Sequence, residues 1–440
     1  MPVVRCRCSQ QKPMCSITRR DFLAGLGTAL TAGAFEAELS EAEAAKPAPR
    51  KVAAVVTVYT HNSHADLIVG RLLDGYHLDG QAPRPNLKLV SLYIDQVAAE
   101  DKGRRLAAKH GVRLCQTIEE ALTIGGSDLA VSGVLLVGEH GQYPTSETGQ
   151  TMYPRRRFFE ETAAVFRRTG RVAPVFSDKH LSWNWDDAKW MYDTARELKV
   201  PLMAGSSLPI TWRRPSLDLK RGARLSEAVG ISYHTLDAYG FHALEMVQCL
   251  CERRRGGEVG VAAAQCLEGP AVWKARDAGR FDSKLLDAAW TRREQATRSK
   301  GRLEESVPNP TAFFIEYRDG FRATILTLNP ANAEWCAGWR EADEPEPRST
   351  LFWTQEARPF GHFTFLVQGI ERMIHTGQPT WPAERTLLTT GMLEALLISR
   401  LRGGVRLETP HLAIRYQPTF DWHEPAPPPQ PLDLSGQSNK

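Results

Sequence analysis

The sequence lacks a long apolar run and has little charge imbalance. It contains no stretch of about 18 consecutive apolar residues, the length that a membrane-spanning helix needs, so we expect no stable membrane span. The chain of 440 residues carries 55 Lys and Arg against 51 Asp and Glu. A net charge of +4, with both signs interspersed, gives no basic footprint for nucleic acid. Because 42% of the residues are hydrophobic, we predict a soluble globular protein of two domains with accessory ends.

Paired cysteine motifs are also missing. Three of the eight cysteines, Cys6, Cys8 and Cys15, precede Arg19 and Arg20. The five that remain (eight minus three) are odd in number and have no Cys-x-x-Cys spacing. This pattern disfavours both a disulfide framework and a structural zinc site. We therefore assign no metal-binding residues and interpret these cysteines as small buried apolar side chains.

The N-terminal segment has the pattern of an export signal. Arg19 and Arg20 stand before a mildly apolar run, residues 22–35, that is rich in Gly and Ala. A Ser or Thr before the arginine pair and Phe-Leu after it are typical of twin-arginine signals, and a small-residue cleavage site follows at residues 42–44. We therefore predict a signal peptide over residues 1–44, recognition by the twin-arginine translocase and a periplasmic location. An ordinary amphipathic helix with two surface arginines is the alternative.

From Lys51 onward, short apolar runs alternate with amphipathic stretches. Runs typical of buried strands cover residues 52–59, 87–94, 131–137, 172–176 and 201–205. One helix is predicted between Pro154 and Gly170, and another after Asn184, which can cap it with Asp187 three residues later. This alternation predicts a doubly wound parallel sheet, in a Rossmann-like dinucleotide-binding domain over residues 45–210.

Beyond about residue 210 the pattern becomes that of an α+β domain. Residues 263–269 and 311–328 are typical of antiparallel strands, and the second stretch contains an Asp-Gly hairpin turn at 319–320. Helical patterns cover residues 237–252, 362–375 and 383–402. We predict an open, largely antiparallel sheet covered by helices on one face, in a substrate or oligomerisation domain over residues 211–415. A proline-rich tail, residues 416–440, should be an extended strap or disordered.

The glycine-rich loop of dinucleotide-binding folds is absent. Ligands of an open parallel sheet bind outside the carboxyl ends of the strands. There a G-x-G-x-x-G loop after the first strand usually lets the backbone approach a pyrophosphate. Residues 59–63 contain no glycine. The remaining candidates to hold a phosphate are helix N-terminal amides and the side chains of Thr60, Asn62 and Ser63.

Charged residues follow the other predicted strands. Asp95 follows the second strand, where an acid accepts hydrogen bonds from an adenosine ribose or caps a helix. Glu139 and His140 follow the fourth, as cofactor ligands or as parts of a polar loop. Lys179, after the fifth, would hydrogen-bond a substrate hydroxyl and stabilise the developing alkoxide. His242, on a helix of the second domain, is a candidate base or a satisfied core residue.

Taken in series, these segments resemble the Gfo/Idh/MocA family of glucose-fructose oxidoreductases and inositol dehydrogenases. The resemblance covers roughly residues 51–413 and rests on "AAKHGVRLCQTIEEAL", "VAPVFSDKHL", "YGFHALEMVQCL" and "HTGQPTWPAERTLL". It implies a Rossmann domain followed by an α/β domain whose open sheet often mediates homo-oligomerisation. It also implies oxidation or reduction of sugars or polyols with NAD or NADP, and some members are exported by the twin-arginine route.

The family's motifs are matched only in part. Members usually carry Glu-Lys-Pro after the fifth strand, and Lys179 matches its catalytic lysine while both neighbours differ. Dehydrogenases of the family usually have Asp-x-x-x-His in the second domain, and His242 matches that histidine. Ala238 stands at the aspartate position, and Asp237 lies one residue too early, which rotates a helical side chain by about 100°. His64 matches only the histidine that often follows the glycine loop.

We therefore predict an exported NAD(P)-dependent oxidoreductase that acts on a sugar or polyol hydroxyl. The resemblance implies that Lys179 polarises the reacting hydroxyl and that His242 takes its proton. Additional candidates for contact with substrate are Trp183, Arg213, Arg214 and Asp237. Core and surface packing explain the tryptophan and the two arginines equally well.

Two alternatives stay open at this point. A degenerate relative would bind a carbohydrate or a partner without redox turnover, which the missing glycines and the displaced aspartate favour. An NAD-dependent glycosidase would use a transient oxidation to drive elimination and hydrolysis of a glycosidic bond.

Overall fold

The computed structural model describes residues 48–295, 302–342 and 344–432. The predicted signal peptide lies outside these ranges and stays a prediction. Among the helices within them, none is both long and apolar enough to span a bilayer.

The first half of the described chain forms a parallel sheet. Its strands are β1 (Arg50–Val56), β2 (Leu87–Ile94), β3 (Arg113–Cys115), β4 (Gly133–Val137), β5 (Val175–Asp178) and β6 (Leu202–Gly205). They are ordered β3-β2-β1-β4-β5-β6, and every pair is parallel. The order reverses between β1 and β4, so their carboxyl ends flank the switch point where such sheets bind ligands. The prediction of a Rossmann-like sheet is confirmed.

Helices cover both faces of this sheet. They are α1 (His64–Ile68), α2 (Gly70–Asp74), α3 (Gly103–His110), α4 (Ile118–Thr123), α5 (Arg155–Thr169) and α6 (Trp185–Glu197). Val52 and Ala54 of β1 face one buried apolar cluster and Ala53 faces another, so the strand reads as a continuous apolar run. The cap predicted for α6 is present, because Oδ1 of Asn184 accepts a hydrogen bond from the Asp187 amide at 2.8 Å.

A second sheet follows in the chain. Its strands are β7 (Trp212–Arg214), β8 (Leu225–Ser232), β9 (Val261–Glu268), β10 (Thr311–Tyr317), β11 (Arg322–Thr327), β12 (Cys336–Glu341), β13 (Arg348–Trp353) and β14 (Leu407–Glu408). They are ordered β14-β9-β10-β11-β8-β12-β13-β7, and only the β8–β11 pair is parallel. The hairpin predicted at Asp319 and Gly320 joins β10 to β11, with Gly320 in the left-handed region at a φ of 83°.

The helices of this half correct one prediction. They are α7 (Ala238–Cys251), α8 (Pro270–Asp277), α9 (Ser283–Trp290), α10 (Leu303–Ser306), α11 (His362–Thr376) and α12 (Ala383–Leu401). The prediction of helices on one face is wrong. Phe313 and Ile315 of β10 pack with α7 and α12, whereas Ala312 and Phe314 pack with α8 and α9. Because alternate residues of the strand are apolar on both sides, both faces need cover. Homo-oligomerisation through an open face stays a prediction.

Helix α11 packs mainly on the first sheet, and its Phe365 also contacts Trp212 of β7, with ring centroids 4.9 Å apart. Leu366, Val367 and Ile370 belong to the same buried cluster as Val52 and Ala54 of β1. The segment that leads into α11, residues 354–361, therefore runs beside the carboxyl edge of the first sheet.

The described part of the tail is an extended strap. Nε1 of Trp422 donates to the Thr211 carbonyl at 2.8 Å, and Nε2 of Gln355 donates to the Pro429 carbonyl at 2.6 Å. The Leu432 amide donates to the Arg358 carbonyl at 2.8 Å. The strap thus holds the segment before α11 in place.

Candidate functional site

Lys179 stands at the carboxyl end of β5 and is 4% exposed. Its φ of 56° lies in the left-handed region, which is uncommon outside glycine and turns the chain sharply after the strand. Its Nζ donates to Oε1 of Glu139 at 2.9 Å, and Nη2 of Arg155 donates to Oε2 of that carboxylate at 2.6 Å. Burial raises the pKa of Glu139, but the Lys179 ammonium and the Arg155 guanidinium outweigh it and hold the pKa well below its usual value. An ionised carboxylate therefore fixes the lysine side chain.

His64 and Asp178 form a second polar contact at the same sheet edge. Nδ1 of His64 lies 2.7 Å from Oδ2 of Asp178, a residue that is 1% exposed. His64 opens α1 directly after Ser63, whose Oγ accepts from the Asp66 amide and caps the helix. The contact with Asp178 leaves Nε2 as the ring nitrogen available to a ligand.

His180 completes the Asp-Lys-His sequence with a third contact, to Asp237. Nε2 of His180 lies 3.2 Å from Oδ1 of Asp237, and Oδ2 of Asp237 accepts from the Thr151 amide at 3.0 Å. Because its carboxylate is committed to these two groups, Asp237 does not line the cavity described next. The predicted contact of Asp237 with substrate is therefore not formed in this structure.

These elements border a cavity of about 260 Å³ at the carboxyl edge of the first sheet. We call this cavity the histidine pocket. Its polar lining includes Asn62, His64, His140, Lys179, His242 and His362, together with Ser207, Thr354 and Glu356. Four of the sequence-predicted residues, Asn62, His140, Lys179 and His242, thus come together here from both halves of the chain.

Aromatic rings complete the wall of the pocket. The rings of Tyr239 and Trp335 stack at a centroid distance of 5.4 Å and an angle of 22°, and Tyr233 lies 4.8 Å from Trp335. A small cavity with large apolar faces and a few convergent polar groups is typical of sites for small organic ligands.

Three histidines of the pocket are held neutral. Burial, followed by the Lys179 ammonium, lowers the pKa of His242 well below its usual value. Burial lowers the pKa of His140 to about 4 and that of His362 to about 3. The buried Nδ1 atoms of His242 and His362 have no hydrogen-bond partner among the described residues. A neutral ring donates through one nitrogen and accepts through the other, so these side chains suit a ligand with hydroxyl groups.

The pocket does not have the arrangement of a metal site. Within the ranges that the structure describes, no group of three or more His, Cys, Asp or Glu side chains is placed to hold an ion.

At the neighbouring part of the sheet edge, beyond β2, protein side chains bond the carboxylate of Asp95. Asp95 accepts hydrogen bonds from the hydroxyls of Tyr93 and Tyr143, both at 2.8 Å, and from the guanidinium of Arg157. Burial raises the pKa of Asp95, but these donors, with Arg157 foremost, outweigh it and lower the pKa. Asp95, predicted to bind a ribose, thus already accepts three hydrogen bonds from protein side chains.

A pair of hydrogen bonds, the Gln96–Gln142 clasp, joins the loops after β2 and β4. Nε2 of Gln96 donates to the Gln142 carbonyl at 2.8 Å, and the Gln142 amide donates to Oε1 of Gln96 at 2.9 Å. The loop after β4 also packs on the loop after β1, because a Cβ on Gly141 would lie 3.2 Å from Cγ1 of Val58. An adenine dinucleotide extends across these loops in a Rossmann arrangement. The clasp therefore spans the region that the adenosine half of such a ligand would cross.

The loop after β1 holds itself together. Oγ of Ser63 accepts from the Thr60 amide at 3.2 Å and donates to the Thr60 carbonyl at 2.8 Å. Oδ1 of Asn62 accepts from Nη1 of Arg358 at 2.8 Å. Ser63 is 3% exposed. Thr60 and Ser63 therefore stabilise the loop, and of the three predicted phosphate ligands only Asn62 reaches the pocket.

The other predicted substrate contacts lie away from the pocket. Arg213 is buried in an ion pair with Asp218, with its guanidinium 4.6 Å from the ring of Trp422. Arg214 stacks 4.0 Å from the ring of Trp353 and pairs with Glu294. Both arginines belong to β7 at the edge of the second sheet, where their contacts stabilise the packing around that strand. Trp183, half-buried before α6, does not line the pocket either.

Several pocket residues were not identified from the sequence. His64 was matched to a family histidine without a role, although its place in the first turn of α1 puts it at the strand ends. Tyr233, Tyr239, Trp335 and His362 come from the second half of the chain. Their residue types give no local signal, because only the packing of the two halves brings them to the pocket.

Comparisons with known proteins show similarity in fold and not in sequence. No protein-family model and no curated protein sequence matches this chain. GenD2 from gentamicin A biosynthesis, solved in complex with NAD, is 14% identical with a TM-score of 0.53, over 82% of this chain and 96% of GenD2. Apo scyllo-inositol dehydrogenase from Lactobacillus casei is 12% identical with a TM-score of 0.50, over 82% and 98% of the two chains. These similarities confirm the predicted fold class, a Rossmann-like sheet followed by a second, largely antiparallel sheet.

Proposed function

We propose that this chain is an oxidoreductase that acts on a hydroxyl group of a sugar or polyol, with NAD or NADP as its redox partner. One observation carries the proposal: Lys179 and His242 line the same small cavity at the carboxyl edge of the Rossmann-like sheet. The fold shared with a dehydrogenase of an inositol and with an NAD complex supports it.

The pocket has the groups that activation of a hydroxyl needs. The Lys179 side chain, fixed by Glu139 at 2.9 Å, is placed to hydrogen-bond the reacting oxygen and to stabilise negative charge on it. The neutral rings of His140, His242 and His362 can orient neighbouring hydroxyls, and the stacked pair of Tyr239 and Trp335 offers an apolar face to the ligand carbons.

The dinucleotide would supply an acceptor for hydride. Asn62 and His140, which line the histidine pocket, are the residues that we propose to contact its nicotinamide ring. Because the Gln96–Gln142 clasp joins two of the loops that the adenosine half would cross, the proposal includes opening of the clasp when the dinucleotide binds.

Mass spectrometry of protein folded in the cytoplasm tests the cofactor. We expect NAD or NADP among the small molecules released on denaturation, or binding when either is titrated into the protein. Turnover is then measured with myo-inositol, scyllo-inositol and glucose by reduced-nicotinamide absorbance. Absence of bound dinucleotide, of titratable binding and of turnover with all three substrates would refute the redox proposal.

Lys179→Met tests the role of the lysine in that assay. We expect turnover to fall by about 100-fold or more, the range for loss of a group that stabilises transition-state charge. Lys189→Met is the matched control, because Lys189 is an exposed lysine of α6 that pairs only with Asp193 on its own helix. Equal turnover in both variants would return Lys179 to a structural role.

A second candidate function is carbohydrate binding without redox turnover. The closed clasp and the three protein donors that already bond Asp95 favour it. Calorimetric binding of an inositol or glucose without any affinity for NAD or NADP would select this candidate over the first.

We also propose that the chain is exported to the periplasm by the twin-arginine route, from the arginine pair at residues 19 and 20. Cell fractionation of the full chain and of the Arg19→Lys, Arg20→Lys double variant tests this. We expect the unaltered chain in the periplasmic fraction and the variant in the cytoplasm. The same distribution for both would contradict the proposal.

A further inference from the structure

Two histidines of the pocket differ in how they are supported. His242 is a buried neutral ring whose Nδ1 has no partner among the described residues. His64 has Nδ1 at 2.7 Å from the buried carboxylate of Asp178, and its side chain is 12% exposed. A base needs a fixed tautomer, an orientation and a group that stabilises its protonated form. Only His64 has a carboxylate that supplies all three.

We propose that His64, oriented by Asp178, is the proton-accepting residue of the pocket, a role that the family resemblance assigns to His242. The carboxylate holds the proton of the neutral ring on Nδ1, which leaves the lone pair of Nε2 for the ligand. The inference rests on the proposed function, because it concerns the same hydroxyl.

The proton balance of the step is simple. The O–H bond of the ligand breaks, its proton forms a bond with Nε2 of His64, and the resulting imidazolium keeps its Nδ1–H hydrogen bond to Asp178. The oxygen that has lost its proton is stabilised by the Lys179 ammonium, which lines the same cavity. The dinucleotide of the proposed function is the acceptor of the hydride that leaves the adjacent carbon.

The surroundings of His64 suit this role. Its ring is edge-on to Phe363, with centroids 5.1 Å apart, and it is tilted against His140 at 5.4 Å. These two contacts fix the plane of the ring without bonding its Nε2. The two other carboxylates in contact with the Asp-Lys-His sequence have different partners, since Glu139 bonds Lys179 and Asp237 bonds His180.

Acylation by diethyl pyrocarbonate, located by peptide mass spectrometry on the full chain, tests the assignment without a substrate. The reagent attacks the unprotonated ring nitrogen, so its rate at pH 8 reports an available and oriented lone pair. We expect His64 to be acylated faster than His242. In Asp178→Asn the rate at His64 should fall about fivefold, the factor that one buried hydrogen bond is worth.

Asp237→Asn is the matched control, because it removes the carboxylate of the His180 contact and leaves that of His64 in place. The rate at His64 should not change in this variant. Faster acylation of His242 than of His64 in the unaltered chain would overturn the proposal, and this comparison needs no variant to fold. An Asp178→Asn rate equal to that of the unaltered chain would overturn it as well.

Turnover with NAD or NADP and the three substrates named above supplies a second measurement. We expect His64→Asn to lower kcat by about 100-fold, as for loss of a general base, and His242→Asn to lower it less. The reverse order would overturn the assignment. If the unaltered chain turns over none of these substrates, the proposed function fails, and the acylation rates still decide which histidine accepts a proton.

Discussion

The histidine pocket and the region beyond β2 lie at the same sheet edge, but their carboxylates have different surroundings. In the histidine pocket, Asp178 and Glu139 each hold one side chain, His64 or Lys179, that borders a cavity. Beyond β2, Asp95 accepts hydrogen bonds from Tyr93, Tyr143 and Arg157 and does not line the histidine pocket. The first arrangement presents polar groups to a ligand, and the second satisfies them within the protein.

This difference shows which part of the carboxyl edge of the Rossmann-like sheet leaves polar groups free to bind a ligand. Both regions lie at carboxyl ends of parallel strands, where the fold permits a ligand. The side chains determine which of the two regions can bind a ligand. A carboxylate whose acceptor sites are already hydrogen-bonded within the protein contributes little to the binding of a ligand.

The largest expected effect is on Glu139→Gln in the pocket region. It leaves Lys179 and Arg155 buried without their carboxylate, so we expect the free energy of unfolding to fall by about 3–5 kcal/mol. Urea unfolding at pH 7 measures it. Glu160→Gln is the control, since Glu160 is exposed and pairs with Arg156 on the same helix, and it should cost less than about 1 kcal/mol. Equal losses would mean that the pocket charges are solvated.

We also expect the effect of Glu139→Gln on the free energy of unfolding to depend on pH. The pKa of Glu139 in the fold is held below its ordinary value of 4.5. Its contribution to stability is therefore present above pH 4.5 and is lost as pH falls toward the lowered pKa. We expect the stability difference between the unaltered chain and Glu139→Gln to shrink as pH falls below 4.5. A difference that stays constant would contradict the ion pairing.

A smaller effect is expected at Asp95→Asn, beyond β2. The substitution weakens three hydrogen bonds of a half-buried group, so we expect a loss of about 1–3 kcal/mol in urea unfolding. Turnover or sugar binding in the histidine pocket should not change. Asp193→Asn, at an exposed carboxylate of α6, is the control for loss of one charge. Abolished ligand binding with intact stability would place Asp95 in the site and remove the contrast between the regions.

The smallest effect on stability, less than about 1 kcal/mol, is expected for Gln96→Ala. This variant removes both hydrogen bonds of the Gln96–Gln142 clasp. If the clasp excludes the adenosine half, calorimetry should show tighter binding of NAD and of ADP-ribose than in the unaltered chain. Gln116→Ala, at an exposed glutamine of the neighbouring strand connection, is the control. Unchanged affinity would show that the clasp is not the obstacle.

Local sequence predicted much of the fold. The apolar runs at residues 87–94 and 201–205 correspond to β2 and β6, and the cap at Asn184 is present. Such signals act within a few residues, because strand burial and helix capping depend on neighbours in the chain. The cover of the second sheet by α8 and α9 was missed, since the apolar residues on its second face gave no sign of what packs on them.

The site was predicted less completely. Lys179 and His242 were found because they follow a strand or match a family motif, and the structure brings both to one cavity. Asp237, Arg213 and Arg214 were placed in the site by their position near a strand or motif, yet their charges are used by His180, Asp218 and Glu294. The sequence shows which element carries a charged residue, but it does not show which residue that charge will pair with.

The sequence by itself determined most strands of the first sheet, the β10–β11 hairpin, the longer helices and the position of the Asp-Lys-His segment at a strand end, since these depend on the spacing of nearby residues. Only the tertiary structure decided that Asp178 contacts His64, that Glu139 holds Lys179 and that the loops after β2 and β4 close on each other. Each of these contacts joins residues that are far apart in the chain, so packing and charge pairing select them, and no local pattern records them.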